Sequence, residues 1–295
     1  MSEERPLPAL RIADKLTSLQ ADQQVYIDRD GRVVDRKFRR RRYAVYFGGL
    51  GAACTIALVL NPAFGLVYTG VLGAMVARRF RRAAQVERIP RLIRAQRFEE
   101  AERELAALEQ RGQRAFGAYG RCLIACHRGQ LDAALAEARR CEGLTRDRPR
   151  FQTLHWNAQF LLASLLLEQG LFGEGEAAVE AAMKAPDGEY YATLKLGLAV
   201  LRAFVTDQPE SLGSDDELHD RVRVALRYNH DGMTVALLGW AYERRGDADM
   251  AAHMVAEAPA RFLWGAELIE RMHPRVWTWL GPKLAELAAR GEDEA

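Results

Sequence analysis

The sequence predicts an all-α chain. A transmembrane or re-entrant helical hairpin precedes an α-solenoid of short helix pairs, and a small N-terminal segment carries a β-hairpin signal. Three observations predict this. The stretch from Tyr43 to Ala77 holds 35 residues without one charged side chain. From about Ala83 onward, apolar residues recur at helical spacing with no strand pattern. That downstream region also repeats one turn-and-helix phrase, the signature of an array. The expected organisation is residues 1–42 as an N-terminal segment ending in a basic cluster, 43–77 as the hairpin, 78–82 as a basic flank, 83–260 as helical repeats, and 261–295 as capping helices with an acidic tail.

Composition bounds the reading. The chain has 295 residues, 49% hydrophobic and 28% charged, so it can bury a proper core. Ten prolines and 24 glycines exclude a collagenous or Pro/Gly-rich disordered chain, and four cysteines are too few for a disulfide-stapled scaffold. The net charge of +2 conceals an asymmetry: ten of the 42 basic residues fall in two acid-free clusters, Arg36 to Arg42 and Arg78 to Arg82. The remainder carries 32 basic against 40 acidic residues, so no nucleic-acid partner is expected.

The N-terminal segment begins with an amphipathic helix marked by Ile12, Leu16 and Leu19. Val25 to Val34 then places an Asp30-Gly31 turn between β-branched residues, the hairpin signal. A calcium loop with Gly31 at its sixth position would begin at Tyr26, which is no calcium ligand.

The uncharged run exceeds the roughly 18 residues that flag a membrane span. It starts too far in, and is too long, for a secretory signal. Asn61 and Pro62 mark its turn, because proline removes a backbone donor and pushes its predecessor out of the helical region. Each half holds about 15 to 18 residues, roughly 22 to 27 Å of helix. That length spans a thin bilayer barely or dips in as a re-entrant hairpin, and the sequence leaves both open. Arg39, Arg40, Arg41 and Arg42 on one side, and Arg78, Arg79, Arg81 and Arg82 on the other, would keep both ends cytoplasmic and contact anionic head groups. Small residues at four-residue spacing (Gly48 and Ala52; Gly65, Thr69 and Gly73) suit close helix contact within the hairpin. The use of 37 Arg against 5 Lys suggests a GC-rich bacterial genome, hence a bacterial inner membrane.

The repeated phrase occurs at Ala95–Ala101, from Arg128, from Gln169 and from Arg245. In three copies a glycine (Gly129, Gly170, Gly246) is followed two residues later by Leu131, Phe172 or Ala248, then by a small residue, Ala134, Gly175 or Ala251. The first copy has Gln96 in place of the glycine, with Phe98 and Ala101 in register. Leu238-Gly239, Tyr242 and Pro259 complete the fourth copy. These residues resemble the tetratricopeptide repeat family. Between Glu189 and Tyr228 a helix pair has repeat length without the signature, giving four recognisable repeats and one degenerate one.

No known catalytic motif is present, so no enzyme, no cofactor and no metal is expected. Cys122, Cys126, His127 and Cys141 form a tempting cluster but lack a CxxC pair, and repeat register makes Cys122 and Cys141 small core residues. Asp215-Asp216-Glu217 after Ser214 reads as a capped helix start. Trp264, Trp277 and Trp279 read as aromatics capping the last repeat, with helices on either side of Gly281-Pro282.

The resembled family binds peptides on the concave surface of its first helices. Carried over by repeat position, that surface comprises Phe116, Tyr119, Leu123 and His127; Asn157, Phe160 and Ser164; and Trp240 and Arg244. The same residues would also suit packing between neighbours. The expected function is a non-enzymatic, membrane-anchored adaptor that recruits a protein or peptide partner to the cytoplasmic face. A membrane-shaping or assembly protein that self-associates into a homo-oligomer is the competing reading.

Overall fold

A computed structural model describes residues 26–27, 33–34, 48–49, 51–52, 54–55, 69–75, 88–228, 232–262 and 265–293. The fold is all-α. Two short strands, β1 (Tyr26–Ile27) and β2 (Val33–Val34), pair antiparallel, with Tyr26 opposite Val34. Two residues a side do not make an independent element. The described parts of 43–77, residues 48–49, 51–52, 54–55 and 69–75, are helical. Among the described residues no helix is long and apolar enough to cross a membrane. Asn61, Pro62 and the arginines of both clusters lie outside the described residues.

From residue 88 the chain forms five helix pairs. The first helices are α1 (88–94), α3 (Arg114–His127), α5 (Gln152–Glu168), α7 (Glu189–Val205) and α9 (Gly232–Arg244). Their partners are α2 (Phe98–Gln110), α4 (Leu131–Thr145), α6 (Phe172–Met183), α8 (Asp215–Tyr228) and α10 (Ala248–Glu257). Helices α3, α5 and α7 each pack on their own second helix and on the first helix of the next pair, which is the logic of an α-solenoid.

One turn builds every pair. Gln96, Gly129, Gly170, Asp207 and Gly246 follow the first helices with φ between 51° and 87°. At each, two backbone bonds close the helix end; Gly129 N donates to Cys126 O at 3.0 Å and Gln130 N to Ala125 O at 2.9 Å. The αL residue and this crossed pair of bonds are the Schellman motif, which satisfies carbonyls the helix leaves orphaned. The degenerate pair therefore turns like the others, with Asp207 (φ 51°) in the glycine's place. Aspartate visits this region more readily than most side chains, which is why the missing glycine did not cost the turn. Ser214 and Glu217 then start α8 with a capping box: Ser214 N donates to Glu217 Oε2 at 2.7 Å, and Glu217 N donates to Ser214 Oγ at 3.4 Å.

Small residues sit where paired helices touch. Ala101 and Ala134 are fully buried, and a Cβ on Gly239 would meet Ala251 O and Met254 Cβ at 3.1 Å. Cys122 donates from Sγ to Ala134 O at 3.2 Å and is fully buried, as a small core residue at that crossing would be.

The C-terminal region departs from expectation. Helix α11 (Ala266–Met272) is followed by α12 (Pro274–Asp293), which runs unbroken through Gly281 and Pro282. Proline inside a helix costs about 3 kcal/mol. Offsetting this, Val276 and Leu280 are fully buried and Leu284 and Leu287 pack on the same core, so one apolar stripe continues across the proline. The break falls at His273-Pro274 instead, where proline at a helix start costs nothing.

The turn geometry sets two substitutions of opposite sign. Gln96→Gly should raise unfolding free energy by about 0.5–1 kcal/mol by relieving αL strain. Gly246→Ala should lower it by about 1 kcal/mol, since the new Cβ meets nothing within 4 Å and only the backbone is strained. Chemical denaturation of the full chain measures both.

Candidate functional site

Parallel first helices form the concave face. Tyr119, Leu123 and His127 lie four residues apart on one face of α3, and Asn157, Phe160 and Ser164 share a face of α5. These six residues line one cavity of about 400 Å³. Tyr190, Thr193 and Leu194 of α7 and Met233 of α9 complete its wall. The Tyr190 hydroxyl donates to Asn157 Oδ1 at 3.2 Å, tying the α5 and α7 walls. Beneath them Phe160 stacks on Tyr191 with 6.3 Å between centroids and 13° between planes. Burial pushes the Tyr119 and Tyr190 hydroxyls well above the ordinary range, so both stay protonated.

Three expected groove residues lie elsewhere. Phe116 sits edge-on to Phe151 at 6.0 Å, away from the cavity. Trp240 is 4% exposed and perpendicular to Phe204 at 5.2 Å, so packing rather than recognition explains it. Arg244 donates from Nε to Asp207 Oδ1 at 2.9 Å, joining α9 to the turn of the preceding pair. Conversely, Tyr190, Thr193 and Leu194 were missed because their pair lacks the glycine that gives register. Only the αL tolerance of Asp207 could have supplied it.

Two of the buried thiols are unsuited to nucleophilic chemistry. Cys122 is pushed far up by its hydrogen bond with Cys126 and by burial, and burial pushes Cys141 up to about 12. Among the described residues no three His, Cys, Asp or Glu side chains are placed to hold a metal.

The cavity has a roof that the sequence did not announce. Leu268, Ile269 and Met272 of α11, with His273, close it from above. The segment then crosses the C-terminal ends of the first helices in order. Arg271 Nη1 donates to His127 O at 3.0 Å, at the end of α3. Arg275 N donates to Glu168 Oε1 at 2.5 Å, at the end of α5, where the Glu168 side chain is fully buried and its other oxygen lies 3.5 Å from His273 Nδ1. Trp279 meets Phe204 of α7 at 6.2 Å, and Lys283 Nζ donates to Glu243 Oε1 at 2.7 Å, at the end of α9. Residues 271, 275, 279 and 283 are thus one four-residue stripe. Carbonyl-rich helix ends carry partial negative charge, which Glu168 and Glu243 increase, so this rim attracts cations and helix N-termini. The sequence held the signal, an Arg-Arg-Trp-Lys spacing across His273-Pro274, but the solenoid period masked it.

Compared with known proteins, the chain matches no family model, no curated protein and no solved structure.

Burial and then the nearby Arg271 guanidinium hold His127 below its ordinary 6.5, and burial does the same to His155. Depressed histidines contribute stability that is complete above the unfolded value and is lost as pH falls toward the folded one. The thermal midpoint should therefore drop between about pH 7.5 and about pH 5.5. The drop should be smaller in His127→Gln, measured by scanning calorimetry side by side.

Proposed function

We infer that this chain is a non-enzymatic adaptor, built like a tetratricopeptide array, that receives a segment of a protein partner on its concave face. The observation that carries this reading is the convergence of Tyr119, Leu123, His127, Asn157, Phe160 and Ser164, with Tyr190, on one cavity. Its wall mixes aromatic rings with hydroxyl and amide groups, the composition of a recognition surface with a few orienting polar atoms. The raised Cys122 and Cys141 thiols and the protonated tyrosines support binding over catalysis.

The adaptor is proposed to be membrane-anchored, in a bacterial inner membrane, with the array cytoplasmic. The uncharged stretch 43–77 and its arginine flanks support this reading. Anchoring confines array and partner to one surface, so modest groove affinity suffices. Anionic lipids would be the second class of partner, through Arg39–Arg42 and Arg78–Arg82.

The test is affinity capture of the intact, detergent-solubilised protein from its own membranes, beside Tyr119→Ala/Asn157→Ala. A partner retained by the wild type and lost at least about tenfold with the folded variant is the expected result. If only lipid and further copies of the chain are captured, the adaptor reading is wrong and self-association at the membrane replaces it.

A further inference from the structure

The concave face already has an occupant. Helix α11 lays Leu268, Ile269 and Met272 into the cavity and sets Arg271 on the end of α3. Three features separate it from the helices around it. It has seven residues, below the length at which a helix holds without tertiary support. It lies between two articulation points, Gly265 with φ 79° and the His273-Pro274 break. And it underfills its site, since about 400 Å³ remains beneath it, room for several side chains. Helix α12, in contrast, is held by fully buried Val276 and Leu280 and by the contacts to Glu168 and Glu243. A short helix roofing a recognition surface between two articulation points, next to a long one anchored by fully buried side chains, is an internal ligand that a better-fitting helix can displace.

The contacts of the internal ligand also describe its replacement. Its apolar face is a short helical pattern, Leu268, Ile269 and Met272, and larger anchors in that register would fill the remaining volume. The base at position 271 answers the carbonyl end of α3. We propose that α11 is a displaceable lid, and that the partner is an amphipathic helix that takes its place, with apolar anchors toward Tyr119 and Phe160 and one arginine on the carbonyl end of α3. The proposal rests on the adaptor reading and adds the class of partner and the way access is regulated.

The geometry supplies a reversible lock. A Cβ on Gly129 would lie 3.7 Å from Arg271 Cβ, the separation of a disulfide. In the full chain, Gly129→Cys/Arg271→Cys therefore ties the lid shut when oxidised and frees it, without its arginine tie, when reduced. The probe is a fluorescein-labelled peptide of residues 265–273, with Ile269 changed to Phe to fill the cavity. Fluorescence anisotropy should find the reduced variant binding at least about tenfold more tightly than the oxidised form of the same sample. The peptide carrying Arg271→Glu should lose that binding. Equal affinity in the two redox states, or no binding in either, overturns the proposal. So does a reduced variant that dimerises by light scattering and ignores the peptide, because the occupant would then be a second copy. If the peptide fails while capture of a partner still depends on Tyr119 and Asn157, the lid falls and the adaptor reading stands. If the peptide switches with redox state but capture ignores those two residues, the adaptor reading fails on its own.

Discussion

The left-handed residue that ends each first helix is the constraint on which the rest depends. It reverses the chain within two residues, so the second helix must return against the first, and small side chains at the crossing let the two approach. Repeated five times, the same reversal leaves all first helices pointing one way. Side chains of α3, α5, α7 and α9 then line one cavity, and the C-terminal segment meets the ends of these four helices along one edge. Neither the cavity nor its negative rim needs a dedicated motif. Both follow from one backbone conformation used again and again.

The rim accounts for the C-terminal segment. A fully buried carboxylate such as Glu168 costs several kcal/mol unless it is partnered, and it lies at a helix end whose dipole makes matters worse. The N-terminus of α12 partners one of its oxygens through Arg275 N, while the other lies 3.5 Å from the His273 ring without a hydrogen bond. The same segment brings a guanidinium to α3, an indole to α7 and an ammonium to α9. Repeat arrays need a terminal cap to shield their last apolar face. Here the cap is also a strap, since its first helix reaches back across the concave side and its second covers the end.

Much of this was legible in the residues. Helical spacing, Gly129, Gly170 and Gly246, and the small residues after them fixed the pair architecture, and six of the nine residues carried over by register meet in one cavity. What escaped notice has a physical reason in each case. The fourth pair was placed by its length but not in register, because Asp207 adopts a conformation usually read from glycine alone. Trp240 was placed on the groove because register assigns a helix face, whereas Phe204 of the neighbouring pair decides what covers that face. Pro282 read as a break because local propensity says so, yet the stripe Val276, Leu280, Leu284 and Leu287 outweighs it. The roof escaped altogether, because it joins residues 144 apart in the chain.

That last separation has a consequence for how such a chain can change over generations. Repeat proteins commonly lengthen by duplicating a unit, which adds roughly 8–10 Å per helix layer to the stack. In an open array the insertion is tolerated, because each unit meets only its neighbours. Here an extra pair between α3 and α9 would carry His127 out of reach of Arg271 while Lys283 stayed on Glu243. The contact from Arg271 to His127 thus measures the stack, and it forms at one number of units.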